Sequence, residues 1–325
     1  MRRAPRVILA VAAALAGGVY LNNTSLLSRP TGGKPVLLAH RGLHQTFAAD
    51  GLKADTCTAE RIDPPEHGYL ENTIASMRAA FEAGADVVEL DVHPTTDGNF
   101  AVFHDWMLDC RTDGKGATRE HTLAELKALD IGYGYTADGG KTHPFRGKGV
   151  GLLPSFDEVL AQFPARRLLI DIKSNDPADG EKLAERLARL PLDRLARILV
   201  YGGDRPVAVV RERLPRVMTL SRAGLKRCLI GYIGLGWAGY VPTACRDSLL
   251  LIPVNIAPWL WGWPHRFLSR MQRVGAEVFI AGTWDGGYSR GIDSAAALAQ
   301  LPVGYSGGVW TNRVDRIAPL LGSRL

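Results

Sequence analysis

The chain has no block of like charges and no stripe of basic residues interleaved with aromatic ones. Such a stripe is the usual mark of a nucleic-acid-binding surface, so neither DNA nor RNA is an expected partner. The net charge of +6 comes from scattered lysines and arginines. Charged residues make up 22% of the chain and hydrophobic residues 46%, which is typical of a folded globular protein.

Cysteine is scarce, and none of the four cysteines are spaced as Cys-x-x-Cys. This spacing excludes the common zinc-site patterns. In an exported protein an even number of cysteines favours two disulfides, although four free buried thiols are the alternative. Proximity in the sequence favours pairing Cys57 with Cys110 and Cys228 with Cys245, but the sequence alone does not choose among the possible connectivities.

The longest apolar run lies near the N-terminus, from Val7 to Leu21, and is too short to cross a bilayer comfortably, which takes roughly 20 residues. A basic, then apolar, then polar order is typical of a signal peptide, and a short uncleaved anchor is the alternative. We expect residues 1–30 to be this signal or anchor with its linker, and 31–325 to be one folded domain. The protein is then exported, either periplasmic or extracellular, or anchored to the membrane facing outward. Three arginines precede the run: Arg2, Arg3 and Arg6.

No Gly-x-Gly-x-x-Gly motif follows the first predicted strand, which argues against a doubly wound open sheet, the second-choice architecture. Short β-branched runs instead alternate with amphipathic stretches, as in βα units around a parallel sheet. About eight units in roughly 290 residues predict a single-domain TIM (β/α)8 barrel. Strands are predicted at 36–39, 87–92, 101–103, 168–172, 198–201, 217–220, 250–254, 278–281 and 308–311, and helices at 73–82, 155–162, 180–190 and 205–213.

Three segments are longer than a minimal barrel requires. Residues 42–70 form a polar insertion after the first strand, and residues 131–151 are glycine-rich but lack the ending of a phosphate-binding P-loop. The third segment, from Cys228 to Pro264, is apolar but interrupted by prolines, so it is not a transmembrane helix. Its tryptophans either pack beneath a disulfide or form a surface that contacts lipid or an acyl chain. They are Trp237, Trp259, Trp261 and Trp263.

Carboxylates alternate with aliphatic residues along the strand predicted at 87–92. Because strand side chains alternate between faces, Glu89, Asp91 and His93 point one way and their aliphatic neighbours point the other. Two carboxylates about 7 Å apart in a barrel interior repel each other unless a cation lies between them. We therefore predict a divalent cation with oxygen ligands, and an edge strand with solvated acids is the alternative.

Two histidines follow predicted strands, His40 after strand 36–39 and His104 after strand 101–103. In barrel enzymes the carboxyl ends of the strands build the active site. A lone histidine there is often structural, but two beside a pair of carboxylates predict a general acid and a general base. Arg41 adds a cation that can hold phosphate oxygens through two hydrogen bonds.

A third carboxylate, Asp171, lies in strand 168–172 on the same face as Lys173. A structural ion pair between the two is one interpretation. The other, which the neighbouring motifs favour, makes Asp171 a third metal ligand and Lys173 a contact to phosphate.

Four short motifs occur in order along the chain: His40-Arg41-Gly42, Glu71-Asn72-Thr73, Glu89-Leu90-Asp91 and His104-Asp105. In order and approximate spacing they resemble those of the glycerophosphodiester phosphodiesterases, phosphodiesterases with a TIM barrel like that of phosphatidylinositol phospholipase C. Supporting matches are Leu153-Pro154-Ser155-Phe156-Asp157-Glu158-Val159 and Trp310-Thr311-Asn312. The resemblance covers roughly residues 36–320.

The resemblance implies a TIM barrel that binds one divalent cation, Mg²⁺ or Ca²⁺. The implied metal ligands are Glu71, Glu89, Asp91 and Asp171. The implied acid and base are His40 and His104, the implied phosphate contacts are Arg41 and Lys173, and the supporting residues are Asn72, His93, Asp105 and Trp310.

Two features depart from the family pattern. Many relatives have Glu where this chain has Asp171, which shortens the ligand by one methylene. Phospholipase D-type toxins of the same barrel group also have Asp there, so a lipid is kept as an alternative substrate. The insertion at 42–70 is expected to roof the site, stapled to the loop after His104 if Cys57 pairs with Cys110.

The expected reaction is hydrolysis of a glycerophosphodiester to glycerol 3-phosphate and an alcohol such as choline or ethanolamine, in glycerophospholipid metabolism. One alternative is phospholipase D-like hydrolysis of lysophospholipids or sphingolipids. Another is a catalytically silent barrel that binds a ligand. The expected partners are therefore a small glycerophosphodiester or a lysolipid, with membrane association through the N-terminal segment as a further expectation.

Overall fold

The computed structural model describes residues 3–26, 28, 33–48, 51–52, 56–286 and 290–322. The strands within this part of the chain are β1 (Val36–Ala39), β2 (Val87–Pro94), β3 (Phe100–Val102), β4 (Arg167–Ile172), β5 (Ile198–Gly202), β6 (Met218–Ser221), β7 (Leu249–Pro253), β8 (Glu277–Ala281) and β9 (Gly308–Thr311).

Eight of these strands form a parallel sheet in the order β6-β5-β4-β2-β1-β9-β8-β7. The two end strands, β6 and β7, meet in an isolated parallel bridge between Thr219 and Ser248, so the sheet is nearly closed. The predicted TIM barrel is therefore confirmed, and the chain does not adopt the doubly wound open sheet.

Helices on the outside of the barrel connect most of its strands. The helices among the described residues are α1 (Arg3–Asn23), α2 (Ile74–Glu82), α3 (Leu123–Ala128), α4 (Phe156–Gln162), α5 (Pro177–Leu187), α6 (Leu192–Leu195), α7 (Asp204–Arg213), α8 (Arg222–Leu235), α9 (His265–Arg273), α10 (Ala295–Leu298) and α11 (Val314–Gly322). Short 3₁₀ turns span Ala59–Arg61, Thr118–Glu120, Gly236–Ala238, Thr243–Cys245 and Ala257–Trp259.

Side-chain caps determine where two of the predicted helices begin. Thr73 and Ser155 each accept a hydrogen bond from the backbone of the third residue of the following helix, and the side chain of that residue bonds back to the cap. Because a cap residue stands just outside its helix, α2 and α4 begin one residue later than the pattern predicts.

The barrel interior changes from apolar to polar along the strands. Val88, Leu90 and Val92 of β2 pack outward in the main core, as the alternation predicts. On the inward face of the same strand Val87 is followed by Glu89 and Asp91, all buried. The apolar layer at the amino ends of the strands consists chiefly of Leu38, Val87, Leu169, Leu199, Leu220, Leu249, Phe279 and Trp310.

One predicted strand does not belong to the barrel. β3 pairs antiparallel with β2 and lies off the barrel path, so His104 does not follow the carboxyl end of a barrel strand as predicted. The sequence pattern does not separate the two cases, because a hairpin strand and a barrel strand share the same short apolar run. The hairpin instead returns the chain alongside β2, where the amide of Phe103 donates to the carbonyl of Asp91 at 3.1 Å.

Two disulfides join the cysteines, Cys57 with Cys110 and Cys228 with Cys245, and the predicted pairing is confirmed. The first bond links the insertion at 42–70 to the loop after β3. A second, smaller core lies beneath these loops, with Leu108 and Leu126 fully buried in it.

The glycine-rich segment folds around one carboxylate. Asp130 is 3% exposed and accepts hydrogen bonds from the amides of Gly132, Gly147 and Gly149 at 3.0, 2.5 and 2.9 Å. A Cβ at Gly149 would lie 2.3 Å from the amide nitrogen of Gly132, so this close approach requires glycine. The segment is an ordered loop closed by Asp130.

The predicted N-terminal apolar run lies within α1, and most of its side chains from Val7 onward are exposed. Among the described residues, no helix is both long enough and apolar enough to cross a membrane. The predicted boundary between residues 30 and 31 lies outside the described residues, as does Arg2.

Candidate active site

The turn after β1 places two charged groups at the carboxyl end of the barrel. His40 directly follows the strand, and Arg41 and Gly42 come next in the left-handed conformation with φ of 56° and 79°. A Cβ at Gly42 would lie 2.6 Å from Ser76 Oγ and 2.8 Å from its backbone carbon, so only glycine lets this turn pack on α2. Arg41 adopts this rare conformation without being glycine, and such strain is characteristic of functional sites.

Three carboxylates meet inside the barrel at this end. Glu89 and Asp91 of β2 and Asp171 of β4 each offer an oxygen, and these three oxygens lie within 4.8 Å of one another. Asp91 and Asp171 are direct partners in the register of the two strands. This cluster of three carboxylates has the oxygen donors and the spacing that a hard divalent cation requires, so the residues fit such an ion.

The charge state of the cluster shows how costly it is without a cation. Burial, together with the Asp91 charge, raises the pKa of Glu89 well above its usual range. Burial also raises the pKa of Asp171 to about 7, although Lys173 opposes the shift. Burial acts on Asp91 too, but Lys173 and Arg41 hold the pKa of Asp91 well below its usual range. Protons thus neutralise part of a negative charge that a divalent cation would also offset.

Neighbouring polar groups hold the cluster in place. Asn72 donates to Asp91 Oδ2 at 2.8 Å and accepts from the Asp91 amide at 3.1 Å, which clamps this carboxylate at two points. The hydroxyl of Tyr201 donates to Glu89 Oε1 at 2.7 Å, and the Arg41 amide donates to Glu89 Oε2 at 2.9 Å. Asp91 Oδ1 is buried and accepts no hydrogen bond among the described residues, although the Lys173 ammonium lies 3.3 Å away, so this oxygen is a candidate ligand for a cation.

Two predicted phosphate contacts also touch this cluster. Lys173 Nζ lies 3.3 Å from Asp91 Oδ1 and 3.3 Å from Asp171 Oδ2. Arg41 Nε lies 3.3 Å from Asp91 Oδ2, and Arg41 Nη1 lies 3.2 Å from Glu71 Oε1. Both side chains are largely buried, so each is a preorganised cation at the edge of the cluster.

Glu71 stands apart from the other predicted ligands. Its carboxylate lies between two guanidinium groups, with Oε1 3.2 Å from Arg41 and Oε2 3.1 Å from Arg111. Burial opposes its ionisation, but Arg111 and Arg41 lower the pKa of Glu71 below its usual value. The structure therefore places Glu71 in an arginine network, and its role as a metal ligand stays a prediction.

His40 is held in one orientation by the residue that follows the neighbouring strand, β9. Its Nδ1 lies 2.7 Å from Asn312 Oδ1, while Asn312 Nδ2 donates to Asp293 at 2.8 Å. Because the amide nitrogen of Asn312 is committed to Asp293, its oxygen faces the histidine, and Nδ1 of His40 carries the proton. Burial and the Arg41 charge lower the pKa of His40 well below its usual value, so the ring is neutral and carries a lone pair on Nε2, which lies 3.8 Å from Glu89 Oε2.

His104 is held by a carboxylate instead. Its Nδ1 donates to Asp105 Oδ1 at 2.6 Å, and Arg111 Nε donates to Asp105 Oδ2 at 2.8 Å. Burial opposes ionisation of Asp105, but Arg111 and the bond from His104 keep its pKa far below the usual range. Burial and Arg41 lower the pKa of His104 below its usual value, and the Asp91 charge and the bond to Asp105 only oppose this shift. Both histidines are close enough to Asp91 to lower the pKa of its carboxyl group.

The remaining predicted residues support these groups. His93 is buried beside His104, whose carbonyl lies 3.3 Å from His93 Nε2, and burial lowers the pKa of His93 to about 4. The ring of Trp310 lies 4.8 Å from that of His40 and 6.0 Å from that of Tyr201, measured between centroids. Trp310 therefore packs against the floor of the site.

Three site residues escape the sequence analysis, Tyr201, Asp293 and Arg111, and Asn312 enters it only as part of the match Trp310-Thr311-Asn312. Tyr201 and Asn312 stand at or just after the carboxyl ends of barrel strands, a position that could have identified them. Asp293 and Arg111 lie in loops without periodicity, so only the tertiary structure reveals them.

Comparison with known proteins places this site in a family. A family model described as the glycerophosphoryl diester phosphodiesterase family matches residues 40–214, which is more than half of the chain. The chain belongs to this family. The matched residues contain the turn after β1, both histidines and all three clustered carboxylates.

Individual relatives match parts of the chain. A glycerophosphodiester phosphodiesterase of Bacillus subtilis is 39% identical over 148 residues, 42% of this chain and 49% of that protein, so the match spans about half of that relative. Human lysophospholipase D GDPD1 is 26% identical over 266 residues, 79% of this chain and 75% of that protein.

Solved structures of the family share the fold. The glycerophosphoryl diester phosphodiesterase domain of an uncharacterized Mycobacterium tuberculosis protein has a TM-score of 0.62 at 16% identity, covering 90% of this chain and 100% of that chain. A phosphodiesterase of Oleispira antarctica, solved with sn-glycerol-3-phosphate, has a TM-score of 0.54 at 19% identity, covering 90% and 96%.

The cluster of three carboxylates predicts cation binding that strengthens with pH. The pKa of Asp171 is about 7 without a cation, and only its carboxylate form binds metal, so protons compete with the cation below pH 7. We expect the affinity for Mg²⁺ or Ca²⁺, measured by isothermal titration calorimetry, to rise about tenfold between pH 6 and pH 8. The Asp171→Asn variant should bind more weakly and lose most of this pH dependence. Equal wild-type affinity at the two pH values would contradict the expectation.

Proposed function

We propose that the protein hydrolyses glycerophosphodiesters to glycerol 3-phosphate and an alcohol, with one divalent cation, Mg²⁺ or Ca²⁺, as cofactor. The observation that carries this proposal is the arrangement of His40 and His104, each with one ring nitrogen committed and the other available, beside the cluster of three carboxylates. Support comes from the family and from the Oleispira antarctica relative, whose structure holds sn-glycerol-3-phosphate as product.

Glu89, Asp91 and Asp171 would hold the cation. When bound, such an ion polarises the phosphoryl group and offsets its developing negative charge. Arg41 and Lys173 stand beside these carboxylates, where each can hold a phosphate oxygen. Asn72 donates a hydrogen bond to the Asp91 carboxylate, and Tyr201 donates one to the Glu89 carboxylate. These bonds keep both carboxylates from rotating while the phosphate binds.

His40 has the properties of the general base. Its neutral ring, with the proton fixed on Nδ1 by Asn312, presents Nε2 as a proton acceptor. The proton comes from the nucleophile, which in a glycerophosphodiester is the glycerol hydroxyl next to the phosphate. Its attack forms a cyclic phosphate, and water then opens this ring to glycerol 3-phosphate.

His104 has the properties of the general acid. Its partner Asp105 is ionised, and a carboxylate at Nδ1 stabilises the imidazolium form. The protonated Nε2 then gives its proton to the departing alkoxide, which is a poor leaving group without one. The two histidines therefore differ in the charge of their partners, a neutral amide for His40 and a carboxylate for His104.

A lipid substrate is the second candidate. Aromatic and long apolar side chains stand exposed in the loops at the carboxyl end of the barrel, where an acyl chain would pass. They are Trp106, Met107, Trp259 and Trp284. A relative named lysophospholipase D, the human protein above, matches most of this chain.

A substrate panel separates these functions. We expect release of glycerol 3-phosphate from glycerophosphocholine with Mg²⁺ or Ca²⁺ and its loss with a chelator, measured by a coupled assay. Faster turnover of lysophosphatidylcholine would favour the lipid substrate. If neither compound nor bis(p-nitrophenyl) phosphate is hydrolysed with any divalent ion, the barrel only binds a ligand and the proposed function is wrong.

The acid and base roles predict different responses to the leaving group. The His40→Ala variant should lose about 10²- to 10⁴-fold in kcat for both glycerophosphocholine and the p-nitrophenyl ester of glycerol 3-phosphate. The His104→Ala variant should lose as much for glycerophosphocholine but far less for the p-nitrophenyl ester, because p-nitrophenolate departs without a proton. Circular dichroism serves as the folding control. Near-wild-type turnover of glycerophosphocholine by either variant would refute its assignment.

We also propose that the protein is exported and rests on a membrane surface. The first support is α1, whose exposed side chains are apolar around much of the helix, among them Val7, Leu9 and Leu15 at 61%, 69% and 66%. An isolated apolar helix exposed to water is unfavourable, and burial in the lipid interface removes that cost.

The second support is an aromatic surface directly beside the end of α1. Asn22 and Asn23 donate to the carbonyl of Trp237 at 3.0 and 2.8 Å, and Arg270 donates to the carbonyl of Asn22 at 2.9 Å. Exposed apolar side chains of α8 and of the segments after it lie beyond that contact and form one surface. These residues define the aromatic surface: Ile230, Ile233, Leu235, Trp237, Tyr240, Trp259 and Trp261.

Charge on α8 favours an anionic bilayer as the partner. Lys226 and Arg227 are exposed about one turn before Ile230, so basic and apolar groups share one end of the surface. The ring nitrogen Nε1 of Trp261 donates a hydrogen bond to the carbonyl of Ile233 at 2.8 Å, so the polar atom of this side chain is paired within the protein. This arrangement suits the interface between headgroups and acyl chains.

Vesicle binding tests the membrane proposal. The wild-type chain should sediment with phosphatidylglycerol vesicles and less with phosphatidylcholine vesicles. A Trp237→Ala/Trp259→Ala variant should bind several-fold more weakly, because it loses exposed apolar area on the aromatic surface. Val303→Ala, which removes apolar area from a 94% exposed residue elsewhere, is the matched control and should bind like wild type. Unchanged binding in the double variant would refute a role for this surface.

A further inference from the structure

The insertion at 42–70 and the loop after β3 are joined twice at the same point. The Cys57–Cys110 disulfide links the insertion after β1 to the loop after β3. The next residue on each side, Thr58 and Arg111, forms a hydrogen bond, from Arg111 Nη2 to Thr58 Oγ1 at 2.5 Å. The covalent link and the arginine contact therefore act on adjacent residues.

Every nitrogen of the Arg111 guanidinium has a partner. Besides Thr58, the group contacts Asp105 Oδ2 at 2.8 Å, Glu71 Oε2 at 3.1 Å and the hydroxyl of Tyr135 at 2.6 Å. The residue is 2% exposed, so these contacts are shielded from water. A planar guanidinium held on all sides has one orientation, which makes it a rigid support for the groups it touches.

One of these groups reaches the histidine that the proposed function makes the general acid. Asp105 Oδ2 accepts from Arg111, and Asp105 Oδ1 accepts from His104 Nδ1 at 2.6 Å. The two oxygens belong to one planar carboxylate, so fixing one of them fixes the direction from which the other holds the ring. Glu71 has a second cation in Arg41, whereas Arg111 is the arginine that Asp105 contacts in the described structure.

We propose that Arg111 is a positioning residue, which acts through Asp105 to aim His104 and is itself held in place by the disulfide-linked loops. This inference rests on the proposed function, since it concerns the proton that His104 delivers to the leaving alcohol. Arg111 contacts the carboxylate behind the histidine and not the cluster of three carboxylates.

The leaving group distinguishes this role from a purely structural one. Arg111→Met should lower kcat for glycerophosphocholine about 10- to 100-fold, as loss of such an outer partner typically does. The same variant should lose much less on the p-nitrophenyl ester of glycerol 3-phosphate. The KM values of the two esters should change little, because the contacts to phosphate remain. An equal loss on both esters would overturn the inference.

A double-mutant cycle gives the sharper test. If Arg111 acts through His104, Arg111→Met should cost at most about twofold in the His104→Ala background, because the group it aims is already gone. A full additional loss in that background means an independent role and overturns the inference. Lys115→Met removes an exposed cation of the same loop, 3.2 Å from Asp109, and should leave both activities at wild-type values.

Milder variants keep the test valid if Arg111→Met does not fold. Arg111→Lys retains a cation for Glu71 but loses the fork that reaches Asp105 and Thr58 together, so it should still shift the ratio of the two activities. The Cys57→Ala/Cys110→Ala variant should shift the ratio in the same direction, and an unshifted ratio would remove the disulfide from the proposal. Wild-type protein that hydrolyses neither ester overturns the proposed function and this inference with it. Wild-type turnover with an unshifted ratio in the folded Arg111 variants overturns this inference alone.

Discussion

Repulsion among three carboxylates, two of them buried and one half-buried, is the constraint on which the rest of the site depends. Asp91 and Asp171 are partners in the register of adjacent parallel strands, and Glu89 is two residues from Asp91 on the same inward face. At this depth each charge is poorly solvated, so the barrel keeps them only with compensation. Lys173 and Arg41 supply part of it, protons on Glu89 and Asp171 supply more, and a divalent cation would replace the protons.

The surrounding residues give the two histidines of the site different hydrogen-bond partners. On one side a neutral amide, Asn312, fixes the tautomer of His40 and leaves its ring uncharged. On the other side an ionised carboxylate, Asp105, accepts a hydrogen bond from Nδ1 of His104. Burial and Arg41 lower the pKa of both histidines, and the bond from His104 to Asp105 opposes this shift at His104.

Periodicity alone predicted much of the fold, and it failed where a contact between distant segments decides. The alternation in β2 places Glu89 and Asp91 inward because the two faces of a strand are fixed by covalent geometry. The pattern predicts that the strand before His104 belongs to the barrel, yet this strand is a hairpin partner of β2. The prediction is wrong because a three-residue apolar run does not indicate whether a strand pairs in parallel or antiparallel. Arg111 and Asp293 carry no pattern at all, because loop residues gain partners only when the chain closes.

The sequence by itself determined the fold class and the set of candidate acids and histidines, because these follow from local periodicity and from recognisable motifs. It favoured the two cysteine pairs by proximity, and the structure established them. Only the tertiary structure decided how those groups are paired. It placed Glu71 between two arginines and not in the cluster of three carboxylates, and it gave His40 an amide and His104 a carboxylate. Proton affinity and ion binding depend on distances of a few ångströms between residues far apart in the chain, and such distances exist only in the folded barrel.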